Sequence, residues 1–409
     1  MSRDASLSRL RFLRPRLLFG LIGATLFLGI SSPASAQVNS PELRAAMAKL
    51  SSASADERAE AARMLKEIGP NASHVAPQLV ARFKDNQATQ DGESVSKLYA
   101  EAVGAMGPEV VDLVVPLLDS ANTFELAGAC EAIHQLGPDA KAAVPAILER
   151  LPTAEGDLLW GLVYGLSGIG PDAAPAVEPL RKLLEHQDFQ VQIIACRALG
   201  GIGPEARAAV PKLVEMLETG VGSVKSHAAL ALASIGPQPD FDIPALIGKL
   251  VEHPQFVLKE RSLEALGILG SEAQSQLPLI DRLWGDPSYN AQIPLAIARW
   301  KITGDAERSL ALLEKLAGFF DTELDAVHAV ALFGPEAKSC TEWLLPKLSG
   351  VDTDVAYEAA MALAAIGDAS DEVLEQLAVL EMSDDEFAAA GATEAIRVLK
   401  AKRDEATDR

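Results

Sequence analysis

Six histidines carry the clearest potential for metal or acid–base chemistry in this chain. They are His74, His134, His186, His227, His253 and His328. None is spaced as His-x-x-x-His, and the chain has no Cys-x-x-Cys pair, so these common zinc-binding spacings are missing. The sequence also lacks Gly-x-Ser-x-Gly and a phosphate-binding glycine loop. It therefore predicts no catalytic residue, no metal site and no cofactor.

The three cysteines, Cys130, Cys196 and Cys340, are predicted to be buried thiols. Cys130 and Cys196 both lie seven residues before a glycine that recurs along the chain, at a position that is small or apolar elsewhere. Two helix pairs would separate them by roughly 20 Å, since packed helices lie ~8–10 Å apart. A disulfide needs Cα atoms within about 7 Å, so we expect none.

One uncharged segment, residues 158–169, has the composition of a protein-binding surface. Trp160 and Tyr164 are four residues apart and so share one face of a helix. The equivalent face of the flanking segments carries Glu131 and His134 on one side and Ile193, Ile194 and Arg197 on the other. Aromatic side chains within a polar rim are typical of binding hot spots, so these seven residues are the predicted partner-binding site. The alternative, that Trp160 and Tyr164 are core residues of a tightly packed helix, remains open from sequence.

A repeat of two helices must position these side chains. Glycines recur at 69, 107, 137, 170, 203, 236, 270, 304, 334 and 367, mostly 30 to 34 residues apart. Each glycine is suited to end a helix, and a proline often follows directly or begins the next helix eight residues later. Residues 211–218 and 223–235 illustrate the two helices of one unit. The short linkers predict antiparallel neighbours.

The second helix of each unit has a regular apolar face. Positions one, four, five and eight before its glycine are apolar or small and share one arc at about 100° per residue. Positions two, three, six, nine, ten and thirteen form the opposite arc, which contains the seven predicted site residues. The pattern predicts an all-α fold, an α-α superhelix of about eleven antiparallel helix pairs over residues 37–402, followed by a charged tail, 403–409.

The recurring pattern AxxAL-xxIGPxAxxAVPxL resembles the HEAT-like repeats named for phycobilisome lyases, over roughly residues 40–402. The resemblance implies a right-handed superhelix with a continuous groove. Bilin-lyase activity is an alternative that it implies, but nothing else in the sequence requires it. The HEAT-like deoxyhypusine hydroxylases hold a di-iron site with His-Glu pairs, and this chain has no His-Glu dipeptide.

The charge of the chain restricts its partners. The net charge is −21, and the first 36 residues carry five arginines and one aspartate, so the remainder is near −25 (−21 minus +4). A field of this sign repels phosphate backbones, so we expect no nucleic-acid partner. The leading hypothesis is a non-enzymatic scaffold that binds a basic or neutral protein through the solenoid groove. The alternatives are a groove-sited enzyme and a structural envelope spacer.

The N-terminus has the three parts of a secretory signal peptide. An arginine-rich stretch ends at Arg16, an apolar run covers 17–30, and Ala34-Ser35-Ala36 provides small residues before a cleavage site. The apolar run is shorter than the roughly 20 residues of a membrane span, so a retained anchor is the weaker alternative. We therefore expect a periplasmic or secreted protein without a membrane span once residues 1–36 are removed.

Cleavage after Ala36 is directly testable. Protein recovered from the exported fraction should have the mass of a chain that begins at Gln37. Intact-mass spectrometry distinguishes this from a chain that retains residues 1–36, which would show that the segment is an anchor or is not processed.

Overall fold

The computed structural model of the protein describes residues 40–407, so the predicted signal peptide lies outside the described residues. Within that range the chain is all helical, with only two isolated β-bridges, Ala88–Ser94 and Gln238–Phe241. No described helix is long and apolar enough to cross a membrane. The described residues form an α-α superhelix, as predicted.

The described helices form eleven consecutive pairs, numbered α1 to α22. The first helices of the pairs are α1 Pro41–Lys49, α3 Ala76–Val80, α5 Val111–Val114, α7 Val144–Arg150, α9 Val177–Leu183, α11 Val210–Thr219, α13 Ile243–Gly248, α15 Leu277–Leu283, α17 Ala306–Leu316, α19 Thr341–Leu344 and α21 Asp371–Glu381. The second helices are α2 Ala55–Ile68, α4 Val95–Gly104, α6 Thr123–Leu136, α8 Gly156–Ile169, α10 Phe189–Ile202, α12 Gly222–Ile235, α14 Phe256–Leu269, α16 Gln292–Thr303, α18 Glu323–Ala331, α20 Thr353–Ile366 and α22 Glu386–Thr407.

Most pairs are joined to the next by a short 3₁₀ segment that begins at the recurrent glycine. Gly170–Ala176 and Gly203–Ala209 are examples, with the two glycines at φ of 78° and 73°. Residues with a Cβ rarely adopt this backbone conformation, which explains why glycine recurs where the second helices end. Several first helices also continue into 3₁₀ turns, such as Val115–Asp119 and Leu345–Ser349.

The apolar core runs along the stack of helices. Successive second helices pack side by side, and most residues at positions one and four before the glycine, such as Ile169 and Leu166 in α8, are buried. The core has two apolar clusters that meet at α16, which contributes residues to both. At this junction Arg299 and Arg308 lie over the ring of Trp284, at 5.4 and 4.9 Å from its centroid.

The C-terminal end differs from the sequence-based boundary. The last helix continues to Thr407, so residues 403–407, which were predicted to be part of a charged tail, are helical. No Gly-Pro pair interrupts this segment, and Arg403 forms an ion pair of 2.9 Å with Asp371 at the start of α21. A charged helix can therefore cover the end of the stack.

The cysteines lie inside the stack. Cys130, Cys196 and Cys340 are buried and free. Burial raises the pKa of the Cys130 and Cys196 thiols to about 12. These thiols are packing residues at neutral pH, because it is the thiolate that reacts.

One carboxylate is buried without full hydrogen bonding. Glu260 of α14 is only 2 % exposed, and its Oε2 has no hydrogen-bond partner among the described residues. Glu260 lies ten residues before Gly270, a position predicted to face outward, but neighbouring residues bury its side chain. Burial raises the pKa of Glu260, since a charged carboxylate is poorly solvated there.

Replacing Glu260 by glutamine should therefore stabilise the protein in a pH-dependent way. Because the folded-state pKa is raised, folding favours the protonated acid. Its stability contribution is complete below the unfolded pKa of about 4.3 and is lost as pH rises through the folded pKa. Glu260→Gln should equal wild type near pH 4 and exceed it at pH 7 by on the order of 1 kcal/mol in urea unfolding. The exposed control Glu272→Gln should show no such trend. If Glu260→Gln and wild type are equally stable at both pH values, the Glu260 carboxyl is not destabilised by burial.

Candidate binding site on the second helices

Three aromatic rings from two neighbouring helices form a continuous stack. Trp160 and Tyr164 of α8 have ring centroids 4.9 Å apart and an interplanar angle of 11°. His134 of α6 stacks on Tyr164, with centroids 4.0 Å apart at 20°. Arg197 of α10 places its guanidinium carbon 5.8 Å from the Tyr164 centroid. Side chains from three successive second helices therefore meet at one place.

Glycines on α8 allow this close approach. Gly161, Gly165 and Gly168 lie on the side of α8 that faces α6, and a Cβ on Gly168 would overlap the carbonyl oxygen of His134. A Cβ on Gly201 of α10 would lie 2.9 Å from the Ser167 carbonyl oxygen. The backbones therefore pack against each other directly, which brings His134 within stacking distance of Tyr164.

Hydrogen bonds fix the orientation of the imidazole. His134 Nδ1 lies 3.0 Å from the carbonyl oxygen of Tyr164, and Ser167 Oγ donates to the same oxygen at 2.7 Å. Because a carbonyl only accepts, Nδ1 carries the proton in this arrangement and Nε2 is the free acceptor. Burial lowers the pKa of His134, so the ring is neutral at pH 7. Burial and the nearby Glu131 carboxylate raise the pKa of Tyr164 to about 12.

The side chains of the stack differ in exposure. Trp160 is 41 % exposed, whereas Tyr164 is half-buried and packs against the apolar core. The predicted rim surrounds them, with Glu131 and His134 half-buried and Arg197 exposed. The structure thus brings together five of the seven residues predicted for the site, with Trp160 open to solvent and Tyr164 as its support.

The two isoleucines of the predicted site are placed differently. Ile194 is only 1 % exposed, so it is a core residue and the prediction of an accessible side chain was wrong. Position nine lies about 90° from the centre of the core arc at 100° per residue, which puts it where a neighbouring helix covers it. Ile193, at position ten, is half-buried and packs against the core at the margin of the site.

Ser167 and the glycine face of α8 were missed by reasoning from the motif content alone. The sequence feature that marks the glycine face is the spacing of Gly161, Gly165 and Gly168, which places three residues without side chains on one helical face.

Among residues 40–407 no three His, Cys, Asp or Glu side chains are grouped so that they could hold a metal ion.

Comparison with known families identifies the repeat. Residues 144–233 and 177–267 match the family model described as HEAT repeats. The middle of this chain consists of HEAT repeats. The matched range begins at α7 and ends within α14, so it includes Trp160, Tyr164 and Arg197. The same pairing of helices continues on both sides of the matched range through the described residues.

Solved structures with a similar course of the chain share little sequence with it. Importin beta has a TM-score of 0.45 at 12 % identity, with 88 % of this chain and 57 % of importin beta covered. The karyopherin Kap121p bound to Nup53p has a TM-score of 0.47 at 13 % identity, covering 88 % and 49 %. An engineered protein has a TM-score of 0.38 at 22 % identity, covering 88 % and 99 %. This chain thus spans about half the length of importin beta and of Kap121p. The curated proteins include no match to its sequence.

The glycine face can be tested with a matched pair of substitutions. Gly168→Ala should destabilise the protein by about 1–3 kcal/mol, because its methyl group overlaps the α6 backbone. The added methyl group of Gly161→Ala meets only the side chain of Cys130, with Sγ at 3.4 Å, so the better helix propensity of alanine should make this variant neutral or stabilising by up to about 1 kcal/mol. Urea unfolding measures both, and near-ultraviolet circular dichroism should show a loss of aromatic ordering for Gly168→Ala only. Equal effects of the two variants would mean that α6 and α8 are not in backbone contact.

Proposed function

We propose that the protein is an exported scaffold that binds a protein partner on the surface formed by α6, α8 and α10, with Trp160 as the anchor. The observation that carries the proposal is a tryptophan that is 41 % exposed and yet held in a stack with Tyr164 and His134. Large exposed aromatic side chains are enriched among the residues that dominate binding energy.

The stack prepares Trp160 for binding. A free surface side chain loses about 0.5–1.5 kcal/mol of conformational entropy when a partner immobilises it. Trp160 has its ring orientation set by Tyr164, so that loss is reduced. Glu131 and Arg197 beside it supply both signs of charge for orienting the partner.

The polar groups of the stack support binding rather than catalysis. Ser167 Oγ lies 3.3 Å from His134 Nδ1, which superficially resembles a nucleophile and its base. Both groups donate to the carbonyl oxygen of Tyr164, so the imidazole nitrogen beside the hydroxyl has no lone pair to accept its proton. An exposed aromatic centre also favours a binding protein over a structural spacer.

The proposed partner is a basic or neutral protein in the periplasm or outside the cell. The net charge of −21 favours such a partner over nucleic acid. Export rests on the arginine-rich, apolar and small-residue segments of residues 1–36.

The anchor role predicts a loss of binding without a loss of stability. Trp160→Ala should weaken capture of the partner from the exported fraction by ~2 kcal/mol, about 30-fold in Kd, and change the melting temperature little. The matched control is Phe124→Ala, because Phe124 is 43 % exposed on α6 but belongs to no stack. If Trp160→Ala binds as wild type, or destabilises the fold by ~3–5 kcal/mol as a core aromatic would, Trp160 is not an anchor.

A further inference from the structure

A second surface lies on one edge of the last three helix pairs. Because successive helices alternate in direction, all turns from a first to a second helix lie on the same edge of the stack. In the last three pairs these turns and the helix ends beside them carry exposed apolar side chains, which together are called the apolar edge. Its members are Phe319, Phe320, Leu324, Val351, Val379, Met382 and Phe387.

Three of these side chains are almost completely exposed. Phe320 is 88 % exposed, Met382 87 % and Val351 fully exposed. Single exposed apolar residues need no explanation, but seven from three adjacent turns form a patch of the kind that binds partners. This patch lies on different repeats from Trp160.

A cleft opens between the turns of the last two pairs. It has a volume of about 290 Å³ and is lined by Leu348, Thr353, Val379, Leu380 and Ala388, among others. Phe387 stacks on Tyr357 with ring centroids 4.2 Å apart, so the start of α22 is tied to α20. The edge therefore combines projecting apolar groups with a recess that can take an apolar side chain.

The charge of the same turns is predominantly negative. Residues 317–325, 348–354 and 379–387 contain nine acidic residues and no lysine or arginine. The nearby Lys347 is paired with Glu323 and lies 3.3 Å from the Ala317 carbonyl oxygen, so its charge is partly neutralised. Any occupant must cover apolar side chains and at the same time bring positive charge.

From this combination we infer that the apolar edge docks a basic amphipathic polypeptide segment, with apolar residues flanked by lysine or arginine. The apolar side chains supply buried area, and the acidic residues select a cationic partner and accelerate its approach. Anionic lipid and nucleic acid are repelled by the same charges. The inference is independent of the proposed site at Trp160.

The direct test measures binding of defined peptides to the full chain by fluorescence anisotropy. The probe is a labelled 18-residue amphipathic helix of lysine and leucine, and the control peptide has glutamate in place of lysine. The lysine peptide should bind, its affinity should fall as salt is raised, and the glutamate peptide should not bind.

Substitutions then separate the edge from general attraction to an acidic protein. The double variant Phe320→Ser, Met382→Ser should bind the lysine peptide at least tenfold more weakly than the wild type. The matched control is Phe124→Ser, Val257→Ser, at 43 % and 53 % exposure beside the same kind of turn in other pairs, and should bind as wild type. Unchanged melting temperatures are expected for both, since the replaced side chains are exposed.

Three results with the peptides would overturn the inference. They are absence of lysine-peptide binding, equal binding by both double variants, and binding of the glutamate peptide as tightly as the lysine peptide. Binding of the wild type to neutral phosphatidylcholine vesicles that the Phe320→Ser, Met382→Ser variant loses would also overturn it, in favour of a lipid surface.

Discussion

Backbone contact between successive second helices is the constraint on which the rest of the structure depends. A Cβ built on Gly137 would lie 3.6 Å from the carbonyl oxygen of Gly168, and one on Gly170 would lie 3.7 Å from that of Gly201. The glycine that ends one second helix thus packs against the end of the next one. The same residue both stops the helix and sets how closely the next unit can approach, which links the turn to the spacing of the solenoid.

The middle of the stack uses this constraint most fully. Gly168 and Gly201 bring α6, α8 and α10 together at positions where other units have side chains. At this separation His134 stacks on Tyr164, and Tyr164 in turn stacks on Trp160. Trp160 is therefore positioned by a ring stack that rests on backbone packing between helices. Its geometry does not depend on a flexible loop.

The sequence repeat made the helix ends and most of the core predictable. The recurrent glycines and prolines mark the helix ends, and counting back from each glycine identifies Leu166 and Ile169 as core. The same count failed for Ile194 and Glu260, which are buried although their positions predict outward side chains. The angle of a residue around its helix gives the direction of the side chain but not whether a neighbouring helix covers it. That coverage depends on three-dimensional packing. The apolar edge was missed because it lies in the turns, outside the helical pattern.

The packing also predicts how stability is distributed along the chain. The two apolar clusters meet at α16, where Trp284, Arg299 and Arg308 supply polar contacts, whereas α6 to α10 are joined by continuous apolar and backbone packing. Hydrogen exchange followed by mass spectrometry resolves such differences. If close backbone packing organises the solenoid, amides of α8 should exchange most slowly and those of α16 and α22 measurably faster. Exchange of α8 as fast as that of α22 would contradict the central role of the glycine-faced helices.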